Sequence, residues 1–239
     1  RDLRMSRGLG DVYKRQIYDN PNGTTSPTIE GTYGCEMKGD VLLDIRSGRA
    51  SEICGTQEYV DKSIIRGNLH IIAGAEKYEN TDHTLRLNYN WPIVGAGNRF
   101  ATEPGAVGNY EVDGNITIDT YENVWGWDRG TDPTSYDVPE IYGAIRGNVG
   151  GSITINAHGS HVQNIFGASD SAIQGSVVIN ANNVELKNSY YGTKYDEGYI
   201  IGLWETGAAS TAQGPVIINI DGGDAVSYTH LRAHETCAD

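Results

Sequence analysis

Residues 151–156 read Gly151-Ser152-Ile153-Thr154-Ile155-Asn156. Aliphatic side chains on alternate positions mark a strand with one face in a core. The glycine in front and Gly159 behind are turn formers, so the strand is short. The phrase recurs as Gly39-Asp40-Val41-Leu42-Leu43, Gly67-Asn68-Leu69-His70-Ile71 and Gly114-Asn115-Ile116-Thr117-Ile118. It returns as Gly175-Ser176-Val177-Val178-Ile179 and Gly214-Pro215-Val216-Ile217-Ile218, and successive glycines of the set lie 28, 47, 37, 24 and 39 residues apart.

Two further phrases fill the intervals. One ends in glycine: Ile53-Cys54-Gly55, Ile93-Val94-Gly95, Val124-Trp125-Gly126, Ile165-Phe166-Gly167 and Tyr190-Tyr191-Gly192. The other leads into the next unit: Ile65-Arg66-Gly67, Val112-Asp113-Gly114 and Ile173-Gln174-Gly175. Three short strands separated by glycine corners describe one turn of a coil of roughly triangular section. A single unit cannot bury its apolar face, so units must stack into a continuous core. The expected fold is therefore all-β, a single right-handed parallel β-helix (β-solenoid) with about three short strands per turn. Each strand would pair with its equivalent one turn on, about 4.8 Å away. The shortest spacing suits a bare turn, and the longer ones imply long loop insertions. A β-sandwich of irregular hairpins is the rival, but its tight turns favour Asn-Gly. That pair occurs once, at Asn22-Gly23, outside the repeats.

After the second aliphatic residue come Asp119, Asn156, Asn180 and Asn219, which alternation points away from the core. Stacked Asn side chains form hydrogen-bonded ladders, but Asn also ends strands well. The sequence leaves both readings open.

Composition narrows the function classes. Fifteen Tyr and four Trp against two Phe suit elements with one face in a core and the other in water. A formal net charge of −13 argues against nucleic acid as a partner. No apolar run approaches the roughly 20 residues of a membrane helix, so membrane insertion within this stretch is not expected. Cys35, Cys54 and Cys237 are too few for a disulfide framework, and whether Cys35 and Cys54 meet is open.

The two ends differ from the middle. Residues 1–16 (RDLRMSRGLGDVYKRQ) carry five of the chain's 18 Lys and Arg and none of the glycine pattern. Residues 226–239 hold THLRAHETC, in which His230, His234, Glu235 and Cys237 have the look of a zinc site. DVYKRQ and SYTHLRAHET resemble peptides that arise when synthetic sequencing-adapter DNA is translated at the ends of metagenomic open frames. That resemblance implies that 1–16 and 226–239 are non-native and that no metal site exists there. The β-helix domain is then 17–225, a fragment whose signal and anchor would lie outside it.

Chemistry is sought in the insertions, because loops on a rigid scaffold carry binding and catalytic groups. In WGWDRGTDPTSYDVPEIYG (residues 125–143), Trp125, Trp127, Tyr136 and Tyr142 are interleaved with Asp128, Asp132 and Asp137. Aromatic faces stack on the C–H faces of sugar rings while carboxylates accept hydroxyl protons. Trp125, Trp127, Asp128, Asp132, Tyr136 and Asp137 are accordingly the candidate glycan-binding residues. The alternative is that the rings fold back on the coil. The same carboxylates are the wrong spacing for an EF-hand, and Asp221-Gly222-Gly223-Asp224 only faintly echoes a calcium repeat. No cofactor is assigned, calcium being the one candidate. His158-Gly159-Ser160-His161 reads as a turn rather than a ligand pair. Tyr190, Tyr191, Tyr195, Tyr199 and Trp204 could form a sticky strip, but are read as a cover for the core edge under a long loop. Nucleophile-elbow, zinc-protease, phosphate-loop and dinucleotide motifs are all missing from the sequence, and no catalytic residue is assigned.

Residues 29–224, through phrases such as Gly151-Ser152-Ile153-Thr154-Ile155-Asn156 and Ile165-Phe166-Gly167, resemble the repetitive β-solenoid stretches of large surface or secreted proteins of gut bacteria. Those proteins are usually described as adhesin-like. The resemblance implies an extracellular or cell-surface module that binds glycans or a host or bacterial surface component. The alternatives are a structural spacer without a specific ligand, or a β-helical polysaccharide lyase or glycoside hydrolase.

Overall fold

The computed structural model describes residues 29–32, 34–56, 63–75, 85–87, 92–97, 110–122, 124–126, 139–186, 189–190, 193–194, 198–205 and 209–223. Among them every regular element is a strand. The first sheet stacks β1 (Ile29–Thr32), β5 (Ile53–Thr56), β9 (Ile93–Gly97), β13 (Ile141–Ile145), β17 (Asn164–Ser169) and β23 (Tyr199–Trp204). The second stacks β2 (Glu36–Met37), β6 (Ser63–Ile65), β10 (Tyr110–Val112), β14 (Asn148–Val149), β18 (Ala172–Ile173) and β24 (Thr211–Ala212). The third stacks β3 (Val41–Ile45), β7 (Leu69–Ala73), β11 (Ile116–Tyr121), β15 (Ile153–His158), β19 (Val177–Asn182) and β25 (Val216–Asp221).

All neighbours in these sheets are parallel, each strand lying beside its equivalent one repeat away, as Ile153 beside Ile116 and Val177. The chain is a parallel β-helix, and the three phrases of the sequence are its three sheets. A fourth, shorter strand, which the phrases did not announce, follows the third sheet in each of the first five coils. These are β4 (Gly48–Ala50), β8 (Leu85–Leu87) and β12 (Val124–Gly126) in one stack, and β16 (His161–Val162) with β20 (Glu185–Leu186) in another. Val124-Trp125-Gly126 therefore belongs to this short stack and not, as its phrase suggested, to the first sheet. β21 (Ser189–Tyr190) and β22 (Thr193–Lys194) form an antiparallel pair off the coil, so Tyr190 also leaves the first-sheet phrase.

Alternation does what the sequence promised in the third sheet. Ile116, Ile118, Ile153, Ile155, Val177 and Ile179 are fully buried, while Thr117, Asp119, Thr154, Asn156, Val178 and Asn180 are half-buried on the outer face. Each buried aliphatic side chain contributes about 1.5–3 kcal/mol. Val216, Ile218 and Ile220 occupy the same inward positions in β25, yet Ile220 is 37% exposed, because β25 is paired on one side only among the described residues.

The first sheet departs from strict alternation at its glycine. Ile141 and Ala144 both belong to the main core, whereas Tyr142 and Ile145 both belong to a second cluster on the outer face, with Cys54, Val94, Phe166 and Ile201. Gly143 thus shifts the phase of the strand by one residue. A Cβ there would run into the Gly167 carbonyl oxygen of the next coil and into Ile153 across the core. Gly55, Gly95 and Gly167 face the same double obstruction, from Leu69, Ile116 and Val177 respectively, together with the following coil's glycine carbonyl. The phrase that ends in glycine is the imprint of this close approach.

Polar side chains also stack. On the third sheet, Asn156 Nδ2 donates to Asp119 Oδ1 (2.7 Å), Asn180 Nδ2 to Asn156 Oδ1 (2.8 Å) and Asn219 Nδ2 to Asn180 Oδ1 (2.8 Å). His70 Nε2 closes the row 2.6 Å from Asp119 Oδ2. The ladder reading of these asparagines holds. A second row runs along the corner before the third sheet. There Asp40 Oδ1 accepts from the Asn68 backbone N–H, Asn68 Oδ1 from Asn115, Asn115 Oδ1 from Ser152 and Ser152 Oγ from Ser176. Pro215 takes the next place and, having no N–H, cannot extend the row.

Candidate functional site

The outer edge of the third sheet is where the coils bring functional groups together. Tyr121, His158, Asn182 and Asp221 occupy one register position at the ends of β11, β15, β19 and β25. The chain then turns a corner into the short fourth strands. Gly159 (φ 62°), Asn183 (φ 50°) and Gly222 (φ 68°) make that corner in three successive coils. Left-handed backbone is what glycine and asparagine tolerate best. Coil-to-coil hydrogen bonds fix it: Gly159 N–H to Asn182 O (2.8 Å), Asn183 N–H to Asp221 O (2.7 Å) and Glu185 N–H to Ser160 O (3.0 Å). Beneath it the buried hydroxyls of Thr120 and Ser160 meet at 2.8 Å.

Above this corner lies an open cavity of about 570 Å³, lined by Tyr121, Glu122, His158, Gly159, His161, Asn182, Asn183, Glu185 and Gly223. That volume is within the usual range of small-ligand sites. The Tyr121 and His158 rings stack, with centroids 5.1 Å apart and planes 20° from parallel. His161 Nδ1 lies 2.7 Å from Glu185 Oε2, across the β16–β20 pair. The lining thus offers a ring pair, carboxylates, side-chain amides and imidazoles, and among the described residues no Lys or Arg. It can accept and donate hydrogen bonds to hydroxyl groups and present a ring face.

His158-Gly159-Ser160-His161 is a turn, as its sequence suggested, and its two imidazoles part company: one stacks on Tyr121, the other meets Glu185. Among the described residues no three His, Cys, Asp or Glu side chains are grouped to hold a metal ion. Of the candidate glycan residues, Trp125 lies in β12, its backbone in register with Arg86 of β8, four positions after Tyr121. Trp127, Asp128, Asp132, Tyr136 and Asp137 lie outside the described residues, as do Asp224 and the His230–Cys237 cluster. Tyr142 is no exposed platform. It is buried in β13, stacks on Phe166 (4.8 Å) and donates its hydroxyl proton to Glu140 Oε2 (3.2 Å). Glu140 in turn accepts from Asn164 Nδ2 (2.8 Å). In the second aromatic region, Trp204 packs edge-on against Phe166 and Tyr199 lies against the same outer cluster, while Tyr191 and Tyr195 lie outside the described residues. Cys35 is exposed and Cys54 buried, and no disulfide joins them.

No protein-family model, curated protein or solved structure matches this chain. The site therefore rests on its own chemistry. Sequence reading overlooked Tyr121, Glu122, Asn182, Asn183 and Glu185 because they are far apart along the chain. One signal for them exists: Tyr121, His158, Asn182 and Asp221 each stand five residues after the first aliphatic of their repeat phrase.

Proposed function

We propose that this chain is a section of a secreted or cell-surface β-solenoid that acts as an adhesin-like binding and display module, with a glycan as its ligand. The supporting observation is the polar cavity at the corner of the third sheet, where the Tyr121–His158 ring pair stands among Glu122, Asn182, Asn183 and Glu185. A sugar suits such a lining, since its C–H faces pack on rings and its hydroxyls pair with amides and carboxylates. The backbone of Trp125, in β12, follows Tyr121 of the cavity by four positions. The stacked coils supply a stiff support that carries the site away from its point of attachment.

Affinity electrophoresis through gels containing soluble polysaccharides tests the reading. Retardation of the wild-type protein by at least one glycan is expected, with retardation lost in Tyr121→Ala and His158→Ala variants that melt like the wild type. Unretarded migration in every glycan would remove the glycan reading and favour the spacer. A second reading, that a polysaccharide is cut rather than held, has the His161–Glu185 contact in its favour as a potential acid–base pair. Release of reducing or unsaturated sugar ends during the same incubations would establish it.

A further inference from the structure

The outer face of the third sheet is ruled at the spacing of the coils. We infer that this face is a docking surface for one extended, uncharged polysaccharide chain lying along the solenoid axis and running past the corner cavity. The inference rests on the glycan reading above and names the class of glycan.

The hydrogen-bond inventory of the ladder carries it. A side-chain amide has two N–H donors and two acceptor lone pairs. Asn156 spends one donor on Asp119 and one lone pair on Asn180, and Asn180 spends one of each on Asn156 and Asn219. Among the described residues the second donor and second lone pair of each have no protein partner. Asn156 and Asn180 thus each offer both a donor and an acceptor, in neighbouring coils about 4.8 Å apart, with Asp119 before them and Asn219 after them in the same row. The rungs cannot rotate without breaking the ladder, so little side-chain freedom is lost on binding. Thr117 and Thr154 stand in register beside the ladder on one side. Tyr121, His158 and Asn182 stand beside it on the other and lead into the cavity.

A ligand that uses such a row must itself present paired donor and acceptor groups at about one strand spacing. Sugar hydroxyls are both at once, and an extended polysaccharide ribbon advances by about one ring per strand spacing. The charges select among polysaccharides. Asp119 heads the ladder, Asp221 ends the neighbouring column, and Glu122 and Glu185 line the cavity. His70 already faces Asp119 at the head of the row. An acidic polymer, whether uronate-rich glycan or nucleic acid, would meet like charge along this path.

The test uses the full chain with a soluble β-linked glucan, mannan and xylan, and polygalacturonate as the acidic comparator. Oligosaccharides of two to six sugars from the polymer that binds are then titrated by calorimetry. Thr154→Lys and Val178→Lys each place a long side chain over the face while leaving the ladder residues and the cavity lining intact. Expected are retention by a neutral polymer, weaker retention by polygalacturonate, and affinity that climbs with each sugar to about four. At least a tenfold loss is expected in either lysine variant, with melting temperature close to wild type. If Tyr121→Ala weakens binding but neither lysine variant does, or affinity stops rising at two sugars, the ligand is confined to the cavity and the docking face is refuted. Tighter binding of polygalacturonate than of any neutral polymer refutes it as well. If the wild type binds none of the four polymers, this inference falls, and a wider glycan panel then decides whether the glycan reading falls with it.

Discussion

Removing one rung of the asparagine ladder measures what the ladder contributes. Asn156 sits mid-row, donating to a carboxylate at 2.7 Å and accepting from Asn180 at 2.8 Å. A typical intramolecular hydrogen bond contributes a net 0.5–1.5 kcal/mol or so, and one to a charged group about 1.5–3. The side chain is half-buried, so water takes over part of both bonds and no polar group is stranded dry. Asn156→Ala should therefore cost about 2 kcal/mol. Asn219 makes a single ladder bond and is exposed, so Asn219→Ala should cost about 0.5 kcal/mol. Asn156→Asp should cost more than the alanine change, since it deletes the donor and sets a second carboxylate against Asp119; that excess should shrink as salt is added. Urea unfolding followed by circular dichroism and by tryptophan fluorescence reads these losses as shifts in midpoint at constant m. Equal costs at positions 156 and 219, or a cost below about 0.5 kcal/mol at Asn156, would refute the claim that the ladder ties the coils together.

Gly143→Ala should destabilise by about 3 kcal/mol, the upper end for overpacking. The loss should persist in an Ile153→Ala background, which lacks the obstructing Cγ2, because the obstruction by the Gly167 carbonyl is backbone; a loss that vanishes there in a thermal melt would show that only side chains clash. Gly159→Ala, whose Cβ would lie 3.4 Å from the nearest atom at φ 62°, should cost only about 1 kcal/mol. Arg66 joins three coils through Glu36 (3.2 Å), Glu111 (3.7 Å) and Asp113 (3.2 Å), and hydrogen bonds from Glu36 and then Asp113 raise its pKa above the ordinary guanidinium value. It therefore stays charged throughout the working pH range, and stability lost in Arg66→Ala should be larger in low salt than in high salt; a salt-independent loss would contradict the ion-pair account. Under native conditions a thiol reagent should modify Cys35 and spare Cys54 until unfolding, which peptide mapping by mass spectrometry resolves; early modification of Cys54 would contradict its burial.

The β-helix was legible because its third sheet repeats one phrase at every coil, and period-two alternation has one simple meaning there. The first sheet was legible only as punctuation. Its glycine looked like a corner, whereas Gly143 and Gly167 lie inside strands that press against the opposite wall of the coil. The fourth strand escaped notice because two or three residues such as His161-Val162 carry no period. The cavity escaped for a different reason. Tyr121 and Glu185 become neighbours only when coils of unequal length are stacked, and spacing along the chain hides that proximity. Tyr142, from the same string as Trp125, proved to be buried, because composition alone does not say which face of a strand a ring occupies.

The unequal coils also bear on how such a rod would yield to force. Its inter-coil hydrogen bonds lie along the long axis, so tension applied at the two ends would peel one coil at a time instead of shearing a whole sheet. Each detached coil would release its own contour length, roughly 3.4 Å per residue. Glycine spacings of 28, 47, 37, 24 and 39 residues would then give five extension steps of different size, from about 80 Å to about 160 Å at that rise. In a single-molecule pulling trace every coil would sign its own rupture, and the order of failure could be read directly from the step lengths.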